Sequence, residues 1–175
     1  VLLAACLAAC AGTASPSLAP GSGSPSILPL LGSAEYPLDL SPTGNVRLSE
    51  GSYEGPAAPG ASTALRVRTE GSPAQGDLNG DGVPDAAVVL AVDPGGSGTF
   101  HYLFAVLDSQ GRPRPAASAL LGDRVEVTSV GIEDGVIQAA VLERAPGEPL
   151  SSPPTVARIH RYRLVDGALR EIGGP

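Results

Sequence analysis

The sequence predicts a mainly β protein, a single antiparallel β domain built from hairpins and preceded by a disordered N-terminal tether. Three observations carry this. Gly (23) and Pro (18) are too frequent in a chain of 175 residues for long helices. Apolar residues fall in strict alternation or in unbroken runs of strand length, and a helical pattern is confined to one short stretch. Asp-Gly pairs stand between apolar runs at two places, where hairpin turns require them.

The bulk composition narrows the function classes. Hydrophobic residues make up 42% of the chain, enough for a core, although the aromatics are limited to four Tyr and two Phe. Eighteen acidic and 11 basic residues leave a net charge of −7. Every basic residue is Arg, a bias that reads as nucleotide composition of the coding sequence and not as chemistry. Without a basic cluster there is no electrostatic footprint for a phosphate backbone, so nucleic acid is not an expected partner. The cysteines, Cys6 and Cys10, both lie in the first ten residues. The domain behind them therefore has neither a disulfide nor a thiolate metal site.

Residues 1–10, VLLAACLAAC, form an uncharged apolar run half as long as the roughly 20 residues a membrane-spanning helix needs. It reads as the end of a secretory signal, with small residues before a cleavage point and the charged start missing. Leu7-Ala8-Ala9-Cys10 resembles the lipobox of bacterial lipoproteins, and Leu3-Ala4-Ala5-Cys6 matches it as well. The resemblance implies export, cleavage before a cysteine and a diacylglycerol on its thiol, tethering the domain to the cell envelope outside the cytoplasm. Cys10 is preferred to Cys6, because the linker starts directly behind it.

That linker, residues 11–34, is an uncharged Ser/Pro/Gly/Ala stretch, too poor in bulky apolar residues to offset its ordering entropy. As a coil it spans roughly 25–30 Å. The globular domain is expected over 35–172. Within it, Thr63–Thr69 alternates and reads as a half-buried strand, with Leu65 and Val67 on one face and Arg66 and Arg68 on the other. Ala86–Val92 and Phe100–Leu107 are apolar throughout, as central strands covered on both faces are, and Asp93–Thr99 joins them as a hairpin. Pro115–Leu121 is expected as a short helix. Arg124–Ile132 and Val136–Glu143 form a hairpin around Asp134-Gly135, with a bulge near Thr128-Ser129 to reconcile the phases of Val125/Val127 and Val130/Ile132. Val156–Val165 and Ala168–Ile172 close the domain around Asp166-Gly167.

The segment richest in chemistry is Gly76-Asp-Leu-Asn-Gly-Asp-Gly-Val-Pro-Asp85. Asp77, Asn79, Asp81 and Asp85 hold loop positions 1, 3, 5 and 9, from which oxygens can converge on a hard cation. Val83 at position 7 offers its carbonyl, and Gly82 takes the sharp turn at position 6. Position 12 is Val88 and not the bidentate Glu of an EF-hand. The loop resembles the calcium loops of FG-GAP and integrin-like propeller repeats, D-x-N-G-D-G-x-x-D before an apolar strand. That likeness implies Ca²⁺ for the loop alone, since no repeat of it supports a propeller. The competing reading is that these Asp and Asn side chains only build tight turns.

From Gly76 to Leu164 the chain also resembles a domain of bacterial envelope lipoproteins to which no activity is assigned. The likeness rests on Gly76–Asp85, Gly95–Phe100, Leu121–Val125 and Arg161–Leu164. Members of that family often have Cys-Cys-Pro-Thr where this chain has Ser151-Ser-Pro-Pro-Thr155, so the resemblance implies that any role of that cysteine pair is lost here.

Other residues invite functional readings and are better explained structurally. Gly95-Gly-Ser-Gly-Thr99 departs from the G-x-S-x-G nucleophile elbow at its last position and has no helix behind it. His101, in an apolar strand, is expected as a hydrogen-bonded core residue. His160 lies among Arg158, Arg161 and Arg163 on what reads as an exposed strand edge, with an anionic polymer as the alternative ligand. Asp123-Arg124 is expected as an ion pair at a strand start, the alternative being a carboxylate near the loop cation. The sequence thus predicts no enzyme. It predicts an exported, membrane-anchored lipoprotein domain of binding or structural role with a calcium-stabilised loop. The alternatives are a cell-surface hydrolase and an accessory subunit or inhibitor docking on another envelope protein.

Overall fold

The computed structural model describes residues 26–173, and among these every sheet is antiparallel. A five-stranded meander forms the middle of the molecule: β3 (Ser52–Pro56), β4 (Ala64–Gly76), β5 (Asp85–Asp93), β6 (Phe100–Asp108) and β7 (Pro113–Asp123), side by side in that order. β5 and β6 pair from Ala86↔Val106 to Val92↔Phe100, so the expected hairpin forms. Every residue from Asp85 to Val92 is buried, as its unbroken apolar run requires when both faces of a strand are covered.

One face of this sheet is covered by a 3-10 turn (Leu28–Ser33) and the short hairpin of β1 (Glu35–Pro37) and β2 (Asn45–Arg47). Ile27, Leu31, Tyr36 and Val46 pack there against Val88, Leu90, Val92 and Phe104. Tyr36 meets Phe104 edge-on at 5.1 Å, and its hydroxyl donates to the Leu31 carbonyl at 2.9 Å. Residues 26–34, expected in the linker, therefore belong to the fold. Ile27 and Leu31 are 0% and 2% exposed. Each such side chain contributes about 1.5–3 kcal/mol on burial, enough to order a short segment that averaged composition reads as coil. The rest of the linker and both cysteines, Cys6 and Cys10, lie outside the described residues.

The other face carries a four-stranded sheet in the order β11-β10-β9-β8, made of β8 (Glu126–Glu133), β9 (Val136–Glu143), β10 (Val156–Val165) and β11 (Ala168–Glu171). Ile137, Ala139, Val141 and Tyr162 meet Ala87, Val89, Leu103 and Ala105 in a second core. Both Asp-Gly turns form, with positive φ at Asp134 and Gly135 (50° and 72°) and at Asp166 and Gly167 (50° and 73°). Two consecutive positive φ values give the turn whose twist matches that of its strands. The β8–β9 register shifts between Val127 and Ser129, where the sequence phases demanded a bulge.

One further expectation changes. The segment Pro115–Leu121 is not a helix but part of β7, at the edge of the central sheet. Pro113 and Pro115 lack the N–H that an interior strand would need, and an edge strand tolerates that. The part of β10 that contains His160 is an open edge as expected, because β11 pairs only with Tyr162–Val165 and Val156–His160 have a partner strand on the β9 side alone. Arg161 and Arg163 are exposed because none of the described residues covers the outer face of this sheet.

Candidate functional site

The loop between β4 and β5 is a chain of side-chain-to-backbone bonds. Asp77 Oδ1 accepts the N–H groups of Asn79 (3.2 Å) and Gly80 (2.7 Å), and its Oδ2 accepts that of Gly82 (2.9 Å). Asn79 Oδ1 accepts the N–H of Asp81 at 2.9 Å, and Asp81 Oδ1 that of Val83 at 2.7 Å. Asn79 Nδ2 donates to Asp81 Oδ2 at 2.9 Å. Gly80 and Gly82 supply the positive φ values, 81° and 80°, that let successive N–H groups point inward. Those N–H bonds, from Gly82 first and then Gly80, hold the Asp77 carboxyl below its usual range.

Asp85 is placed differently. It is 0% exposed, with Oδ2 accepting the N–H of Leu78 and Oδ1 that of Asp108, both at 2.9 Å. Burial raises its carboxyl above the usual value against the pull of these two bonds, and the charges of Asp81 and Asp77 add to the rise. Leu78 is itself buried in the core between the sheets. Asp85 therefore bolts the loop to the start of β5 and the end of β6.

The donor chemistry of Asp77, Asn79, Asp81 and the Val83 carbonyl suits a hard cation, since a carboxylate oxygen with one N–H bond keeps a second lone pair. Their arrangement is that of a turn closed on itself. Among the described residues no three His, Cys, Asp or Glu side chains are gathered as a metal-holding group, and Asp85 points its oxygens into the fold.

The loop also walls a cleft of about 580 Å³. Asp77 and Asn79 form one side, Ile132, Asp134 and Gly135 the other, and Arg163 reaches in from β10. Gly76 makes the contact of the two walls close, because a Cβ there would stand 2.6 Å from Ile132 Cγ2. Nothing in the sequence joins residue 77 to 134 and 163, and only the stacking of the sheets does.

The remaining residues fall where structural roles put them. Ser97 is exposed in the β5–β6 connection, while His101 is 3% exposed with Nε2 3.2 Å from Glu70 Oε2, so its buried ring faces a partly exposed carboxylate. Asp123 accepts the Thr99 N–H at 2.9 Å and stands 3.8 Å from Arg124 Nε. It pairs with Phe100, at the opposite end of β6 from Asp85, and so has no place beside the loop. A cluster that sequence reasoning missed surrounds His160. Its Nδ1 lies 2.8 Å from Glu171 Oε1 and its Nε2 2.7 Å from Glu143 Oε1, with Arg158 Nε 2.9 Å from the other oxygen of Glu143. The three strands involved are adjacent only after folding.

Compared with known protein families, curated proteins and solved structures, the chain shows no match to any.

Proposed function

We propose that this chain is the exported, lipid-anchored β domain of a bacterial envelope lipoprotein, with a binding or structural role and no catalysis, whose Asp77–Asp85 loop is stabilised by Ca²⁺. The observation that carries the role of the loop is the Asp85 bolt: whatever orders residues 77–84 is transmitted directly to β5 and β6. Asp77, Asn79, Asp81 and the Val83 carbonyl would hold the ion, and its charge would relieve the repulsion among Asp77, Asp81 and Asp85. With no bidentate Glu the affinity belongs at the weak extracellular end, about 10⁻⁴–10⁻³ M.

A ligand bound only to the folded state adds RT ln(1 + [L]/Kd), about 1–2 kcal/mol at ten times Kd. Millimolar Ca²⁺ should therefore raise the Tm of the wild type by several degrees over chelator, with Mg²⁺ doing less and Asp81→Ala abolishing the difference. Identical wild-type melts in calcium and chelator would reduce the loop to a turn.

The anchor rests on the two Leu-Ala-Ala-Cys matches. Cells expressing the full-length protein should incorporate labelled fatty acid into it, and Ser at both Cys6 and Cys10 should end that labelling. Undiminished labelling in the double variant would remove the anchor. A second reading, docking on another envelope protein, is favoured by the outer face of β8–β11, which none of the described residues covers and where Ile159 is 60% exposed.

A further inference from the structure

We propose that His160 is a pH-sensitive latch that, when protonated, ties the strand β11 to β9 across β10. The argument is one of donor count. Glu143 and Glu171 are acceptors, and they approach the two nitrogens of one ring at 2.7 and 2.8 Å. A neutral imidazole has one N–H and an imidazolium has two, so only the charged ring satisfies both carboxylates at once. On deprotonation one carboxylate faces a lone pair, and the tie between the strands is lost.

The surrounding charges favour the closed latch. From β9 comes Glu143, from β11 Glu171, and from β10 itself Arg158, which shares Glu143. Arg144 follows Glu143, but its guanidinium is taken by the carbonyls of Asp123 and Arg124. On β7, against which β11 packs, the ionisable groups are the exposed Arg114 and Asp123, which accepts the Thr99 N–H and faces Arg124 at 3.8 Å. Tyr162 stacks on the ring with centroids 6.3 Å apart. Burial, and then the charges of Glu171 and Glu143, push its phenol up to about 12, so it stays neutral. For His160, burial opposes the charge, but the bonds to Glu171 and Glu143 and their Coulomb attraction outweigh it and raise the ring above 6.5. A folded-state value above the unfolded one gives stabilisation that is complete below 6.5 and lost as pH rises through the folded value.

β11 has four residues and sits at the edge of its sheet while also packing on β7 of the central sheet. Releasing it would extend the open edge of β10 through Tyr162–Val165 and open one seam between the layers. Amide exchange on the full chain, expressed as protection relative to an unstructured peptide, reads this directly. From about pH 5 to about pH 9 the protection of Leu169–Ile172 should fall severalfold, by the factor that the upward shift of the His160 ring sets. β5 and β6 should hold theirs. His160→Gln should flatten the profile. Should that variant misfold, Glu171→Gln, at a half-exposed position, is the second probe. It should lower the NMR titration point of the His160 ring from above 6.5 toward that value. A wild-type ring titrating at or below 6.5, or an unchanged fall of protection in either variant, would overturn the latch.

Discussion

The carboxylate of Asp85 is fully buried and takes a hydrogen bond from each of two backbone N–H groups, those of Leu78 and Asp108. Removing it leaves the buried Leu78 donor without a partner, at about 1–3 kcal/mol, and the partly buried Asp108 donor without one at somewhat less. Asp85→Ala should therefore lower the unfolding free energy by about 2–5 kcal/mol in urea, whereas Asp81→Ala, at an exposed loop position, should cost well under half of that. Equal losses would mean that Asp85 is no more than another loop carboxylate. In the sequence the two residues look alike, as oxygen donors at two positions of one motif. Burial separates them, and burial depends on the close of β6 at Asp108, 23 residues further on.

Elements with a strong local signature formed as the sequence required. β5 and β6 are continuous apolar runs, and the two Asp-Gly hairpins carry their own turn geometry. The opposed phases of Val127 and Val130 demanded the irregularity found between Val127 and Ser129. Elements whose state depends on a neighbour were less legible. Residues 113–123 have no strong period, and their pairing with β6 makes them a strand. Residues 28–33 are a 3-10 turn because Ile27 and Leu31 find a face of β5 and β6 to bury against. A chain begun at Glu35 should accordingly be far less stable than one begun at Ser26. Losing two fully buried aliphatic side chains costs about 2–5 kcal/mol each, and Tyr36 would lose the acceptor of its hydroxyl as well. Matching urea midpoints for the two truncations would return this segment to the linker.

At the scale of the whole molecule, the described residues form three layers, with the meander in the middle and one hydrophobic core on each side. By itself the sequence determined the β class, the antiparallel hairpins, the doubly covered central strands and the residues of the Asp77–Asp85 loop. All of these follow from contacts between near neighbours in the chain, through periodicity, turn chemistry and local polar spacing. Only the tertiary structure decided that Asp85 is a buried bolt, that residues 26–34 belong to the fold, that Arg163 and Asp134 meet the loop in one cleft, and that His160 stands between two glutamates. Each of these needs the sheets stacked and strands distant in sequence brought side by side. Beyond the hairpins, a residue's own neighbours in the chain contain no information about which distant strand will lie across from it.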